Sequence, residues 1–131
     1  MNEWKQLISR ANELYFSGQW RAAERLYCKA LEVAERQLVY CRDRQDAVAA
    51  FISSHRNLAD FYQNSNQTYE ACLHLKTAHQ YILSLAHNRS CCVELRRAAR
   101  QSAETSYQQL LEFCRQHQLP VQDIRQSYKY K

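Results

Sequence analysis

The side chains of this 131-residue chain best suited to chemistry are five histidines, six cysteines and an arginine-rich stretch in its last third. His74 and His79 are five residues apart and Cys72 and His74 two apart, so neither pair shares the i, i+4 face of a helix that a metal site uses. His87 and His117 are isolated. Zinc would need a set assembled from distant parts of the fold, and no metal is expected. His55, between Ser54 and Arg56, has no acidic cluster beside it to hold a divalent ion for phosphotransfer and reads as a surface histidine. Cys91 and Cys92 are adjacent at a helix start, where the dipole favours a thiolate. Successive helical positions point about 100° apart, so one of the two should be buried and the other partly exposed. A chain with a single glycine cannot build a phosphate-cradling loop. No serine nucleophile arrangement or paired acids with a cleft are present either. Catalysis and cofactors are therefore not expected.

The elements that must position these residues are helical. One Gly and one Pro leave almost no material for tight β-turns, while 46% hydrophobic and 24% charged residues suit one globular domain with a core. No apolar run approaches the roughly eighteen residues of a membrane span, and the first residues do not form a basic segment leading into an apolar one. A cytoplasmic protein is expected, with its scattered cysteines (Cys28, Cys41, Cys72, Cys91, Cys92, Cys114) reduced and mostly buried.

Trp4, Leu7, Ala11 and Leu14 recur every three to four residues behind Asn2, a candidate N-cap. Ser17-Gly18-Gln19 ends this helix. Trp20, Ala23, Tyr27, Ala30 and Ala34 carry a second helix to about Cys41. Residues Arg42 to Asp46 form a charged break with Asp as a cap, and Ala47, Ala50, Phe51, Ser54, Leu58, Phe61 and Tyr62 give a third stripe. Asn66 can adopt the left-handed turn that Gly18 adopts in the first hairpin. Ala71, Leu75, Ala78, Ile82 and Leu85 form a fourth helix, ended by His87 to Ser90, which also supplies the next cap. Cys92, Leu95, Ala99, Ala103, Leu110 and Phe113 form a fifth, running to about His117. After Pro120, the spacing of Val121, Ile124 and Tyr128 predicts a short sixth helix.

The order small residue, Gly turn, aromatic, then Ala, aromatic, Ala (Ala11, Gly18, Trp20, Ala23, Tyr27, Ala30) resembles the tetratricopeptide repeat (TPR). Leu58, Ala59 and Tyr62 before Asn66, with Ala71, Leu75 and Ala78 after it, make a weaker second copy. Asn66 replaces the turn Gly and Leu75 the aromatic. Ala23 and Ala71 are 48 residues apart, against about 34 for the motif. The excess of fourteen is close to four helical turns and is read as longer second and third helices rather than a loop.

The chain is also similar to short gammaproteobacterial TPR-like proteins of unassigned function, which implies no activity. The resemblance implies an all-α superhelix of antiparallel helix-turn-helix repeats, with five long helices and a short sixth. Its units would be a first pair over 4–42, a second over 46–87, a divergent third over 90–128 and a tail over 129–131.

It also implies a partner-binding groove along the first helix of each pair, with Lys5, Ile8, Ser9, Asn12, Tyr15 and Phe16 from one and Ser53, Arg56, Asn57, Asp60, Gln63 and Asn64 from the next. Asn12 and Asn57 fall where TPR carboxylate clamps place two asparagines, but Ile8 stands at the first lysine of that clamp. The expected function is thus a non-catalytic adaptor holding a peptide or helix of a protein partner. Nucleic-acid binding through Arg96, Arg97, Arg100 and the Tyr128-Lys129-Tyr130-Lys131 tail is the alternative; the chain carries a net charge of +5. Exposed repeat ends would also allow a homodimer.

Overall fold

The computed structural model describes residues 2–40 and 42–119. They form five α-helices and, among the described residues, no strand: α1 (Asn2–Phe16), α2 (Trp20–Tyr40), α3 (Arg44–Asn64), α4 (Thr68–His87) and α5 (Val93–Gln116). The expected sixth helix, the C-terminal tail and Cys41 lie outside the described residues. α2 and α3 are each 21 residues long, so the fourteen-residue excess is helix and not loop. No described helix is long and apolar enough to cross a membrane.

Neighbouring helices pack in sequence, α1 on α2, α2 on α3, α3 on α4 and α4 on α5, and α3 also packs on α5. The alanines explain the close approach. Ala11, Ala23, Ala30, Ala34, Ala47, Ala71 and Ala99 are fully buried, and a methyl side chain lets two backbones approach while larger neighbours fill the gaps. Ala11, Leu14, Ala23 and Tyr27 meet Leu58 and Phe61 in one core cluster. A larger cluster joins Leu38, Val48, Phe51, Ile82 and Leu95, and a third joins Ala59, Ala71, Leu75, Leu110 and Phe113.

Three helices end in the same way. After α1, the Gln19 N–H donates to the Leu14 carbonyl (2.9 Å) and that of Gly18 to Tyr15 (3.1 Å). After α3, Gln67 donates to Tyr62 (2.7 Å) and Asn66 to Gln63 (3.1 Å). After α5, Leu119 donates to Cys114 (2.8 Å) and Gln118 to Arg115 (3.4 Å). Each is a Schellman-type close, which needs one residue in the left-handed region. Gly18 (φ 83°), Asn66 (φ 62°) and Gln118 (φ 56°) supply it. The first two follow from residue type, whereas Gln118 carries no such signal.

Two buried hydroxyls tie neighbouring helices together. Ser54 Oγ accepts from Trp4 Nε1 (2.7 Å) and donates to the Ala50 carbonyl (2.8 Å), linking α1 to α3. Ser106 Oγ donates to the Ala103 carbonyl (2.9 Å). Its single proton is thereby committed, so it accepts from His79 Nδ1 (2.7 Å), which links α4 to α5 and fixes that imidazole as the Nδ1–H tautomer.

Several local expectations are corrected. Asn2 is the first residue of α1 rather than its cap. The α5 N-cap is Cys92, without a side-chain hydrogen bond, and not Ser90. Trp20 opens α2 at 61% exposure, although Ala23 in the same turn is fully buried. Of the described cysteines, all free, only Cys114 is buried; Cys72 and Cys91 are half-buried, and Cys28 and Cys92 exposed. Asp43 does cap α3, accepting from the Asp46 N–H (3.1 Å).

Candidate functional site

Between them, α1, α3 and α5 border two adjoining cavities. One, of about 170 Å³, is lined by Asn12, Tyr15 and Phe16 of α1, Tyr27 of α2, and Asn57, Asp60, Phe61 and Asn64 of α3. The other, of about 180 Å³, takes Arg56, Ala59, Asp60 and Gln63 from α3, Leu75 from α4, and Gln109, Glu112, Phe113 and Gln116 from α5. Asp60 borders both. Its wall position follows from spacing: Arg56, Asp60 and Asn64 succeed one another at intervals of four on one face of α3, while Leu58 and Phe61 point into the core.

The floor of the first cavity is built by an aromatic cluster. Phe61 meets Tyr15, Tyr27 and Tyr62 edge-on or tilted, with ring centroids 5.4 to 6.2 Å apart, and Phe16 stands edge-on to Tyr15 at 5.5 Å. Phe16 is 84% exposed, a large apolar face left uncovered at the rim. The Tyr27 hydroxyl donates to Asn12 Oδ1, which orients that amide and leaves its N–H₂ group directed away from the bond. Burial pushes the Tyr27 hydroxyl above its ordinary pKa, with the negative neighbours Tyr15 and Asp60 adding to the effect. Burial likewise raises the Asp60 carboxyl, partly offset by Arg56.

Of the residues expected to line a groove, Asn12, Tyr15, Phe16, Asn57 and Asp60 are brought together in the first cavity, and Arg56, Asp60 and Gln63 in the second. Lys5 and Ile8 line neither. Ile8 is half-buried against the cluster of Ala11, Leu14 and Leu58. The three arginines of the expected basic patch diverge. Arg97 borders a separate cleft with Arg42, Asp43, Arg44, Gln45 and Glu94, Arg96 is half-buried with its Nε shielded and unbonded, and Arg100 is exposed elsewhere on α5.

The histidines hold the main surprise. His55 is only 4% exposed, not a surface residue, and its Nδ1 lies 3.1 Å from Nδ1 of His74 on α4. The ring centroids are 5.3 Å apart, close to the greatest separation that this nitrogen distance allows. The two lone-pair directions are therefore nearly collinear, as in an N–H···N hydrogen bond and unlike two ligands converging on a metal. Among the described residues no group of three potential ligands forms a metal site. Tyr62 stacks on His74 (centroids 5.5 Å, planes 9° apart) and donates to Glu24 of α2 at 2.5 Å.

Burial, with the neighbouring His74, lowers the His55 pKa to about 4. Burial also lowers those of His74 and His79, the latter partly countered by Glu104. The five-residue spacing of His74 and His79 indeed separates them, one toward α3 and the other toward α5. The pairing of His55 with His74, nineteen residues apart, has no signal in the sequence.

A family model described as a protein of unknown function, DUF2753, matches residues 2–129. The chain belongs to that family. No curated protein and no solved structure matches it.

Proposed function

We propose that this member of the DUF2753 family is a non-catalytic adaptor of TPR-like architecture that holds a peptide or helix of a protein partner along α1, α3 and α5. One observation carries the reading: Asn12, Asn57 and Asn64 converge on the first cavity beside exposed aromatic surface, and the side chains of Asn57 and Asn64 have no hydrogen-bond partner among the described residues. Uncommitted amides next to apolar surface suit a ligand whose backbone offers both N–H and C=O groups, with the rings supplying contact area. The identical closes of α1, α3 and α5, together with the packing of α3 on α5, favour a repeating arrangement of first helices along one face.

The test is affinity for a peptide selected on the purified chain. Asn57→Ala is expected to weaken it at least about fivefold, roughly 1 kcal/mol; unchanged affinity removes the groove from the account. A second reading, nucleic-acid binding, draws on the cleft where Arg97 meets Arg42 and Arg44. Asp43 and Glu94 line that same cleft and offset the charge. Nucleic-acid retention that falls steeply with salt would favour it.

A further inference from the structure

The geometry points to a groove that selects a partner segment carrying a lysine or arginine, whose cationic head seats on Asp60 at the junction of the two cavities. This rests on the groove reading above and narrows it to one ligand chemistry. The chain as a whole is basic, at +5, yet the groove is not. Among the described residues, Asp60 is the only charged one lining the α1–α3 cavity. The α3–α5 cavity adds Arg56 and Glu112, so the described residues of the joint lining carry two carboxylates and one guanidinium.

Neither Asp60 nor Glu112 forms an ion pair or a side-chain hydrogen bond with another described residue. Arg56, one helical turn before Asp60, acts on it only at a distance. A segment laid across α1, α3 and α5 covers Asp60, since that residue borders both cavities. Covering an ionised carboxylate removes its water, and the loss is offset only if the incoming chain supplies a cation or several donors at that point. An acidic side chain or a terminal carboxylate there would add like-charge repulsion to the same desolvation.

The surrounding residues suit an alkylammonium or guanidinium head. Tyr15 and Phe16 border the same cavity as Asp60, and ring faces attract cations while accommodating the methylene stem. The oxygens of Asn57 and Asn64 are further acceptors for N–H groups. Among the described residues, no cationic side chain lines the α1–α3 cavity to hold an anion.

The test uses the full chain and a phage-displayed library of random dodecapeptides as the probe. Enriched sequences are expected to carry Lys or Arg. Asp60→Asn should weaken the best of them at least about tenfold, a change of about 1.4 kcal/mol. Replacing the peptide's cationic residue by Gln should weaken binding similarly and abolish the effect of Asp60→Asn. Asn57→Ala should weaken binding whichever residue the peptide carries.

Neutral or acidic enriched peptides that bind Asp60→Asn as well as the parent, yet lose affinity with Asn57→Ala, overturn the cation preference and leave the groove standing. If no peptide is enriched, or Asn57→Ala has no effect, the groove reading falls and the cation preference with it.

Discussion

The two helical hairpins are built to one plan but held together by different chemistry. Forty-eight residues separate Leu7 from His55, Leu26 from His74 and Leu31 from His79, so three leucines of the first hairpin are replaced by imidazoles in the second. The leucines are half-buried and pack by shape alone. His55 and His79 are buried, and each imidazole has a specific partner, His74 for His55 and Ser106 for His79. The first hairpin should therefore be indifferent to acid and the second should not.

The largest expected effect comes from acid. All three imidazoles have folded pKa values below the unfolded value of about 6.5. The unfolded chain then binds protons that the folded one refuses. Stability is complete above pH 6.5 and declines as pH falls toward the folded values, about 4 for His55. For His55 alone the loss is on the order of 3 kcal/mol.

Urea denaturation at pH 7 and pH 4.5 measures this loss. The double variant His55→Leu/His74→Leu makes the second hairpin resemble the first at these sites. It should change stability at pH 7 little, since both partners of the hydrogen bond leave together, and should flatten the acid limb. An equally steep limb in the double variant would break the comparison.

The turns sharpen it at a smaller scale. Gly18 (φ 83°) has open space where a Cβ would stand, so Gly18→Ala should cost about 1 to 2 kcal/mol through backbone conformation alone. Asn66 occupies the matching turn (φ 62°) without that freedom. Asn66→Gly should therefore be neutral or stabilising, by about 0.5 kcal/mol. Thermal melts of the two variants should move in unequal and largely opposite senses. A matched drop in both would mean that the two turns are not equivalent.

A similarly small effect concerns a cap. α3 has a side-chain cap in Asp43, whereas the Gln67 side chain at the start of α4 makes no cap hydrogen bond. Glu70 stands three residues after Gln67, so Gln67→Ser creates a capping box and should add about 0.5 to 1 kcal/mol. The rise in the thermal midpoint checks this directly.

Much of the fold was legible because helices announce themselves through spacing. Of the stripe Ala47, Ala50, Phe51, Ser54, Leu58, Phe61 and Tyr62, all but the half-buried Tyr62 are buried, much as the three-to-four-residue rhythm requires. Asn66 was readable as a left-handed turn residue, whereas Gln118 was not, since glutamine has no intrinsic preference for that conformation. Trp20 misled in the other direction: its type suggests burial, and at the start of α2 it is exposed.

The candidate site divides along the same line. Asn12, Tyr15, Phe16, Asn57 and Asp60 were placed on the groove helices by the resemblance to the tetratricopeptide repeat, while periodicity by itself only keeps them off the buried stripes of α1 and α3. Nothing in the chain shows that Asp60 stands between two cavities, or that Tyr27 reaches across to hold the Asn12 amide. Those are contacts between helices, and the depth and rotation at which helices pack depend on every side chain at the interface.

The histidines show the same boundary most clearly. A lone His55 next to Ser54 and Arg56 looks solvated, because local polarity says nothing about a helix yet to pack over it. Local periodicity and backbone preference determine where this chain is helical, where it turns and which stripe it buries. Only the tertiary structure brings α4 over α3, and with it the pairing of His55 with His74. Such pairing is decided by distance in space, a quantity that spacing along one helix does not contain.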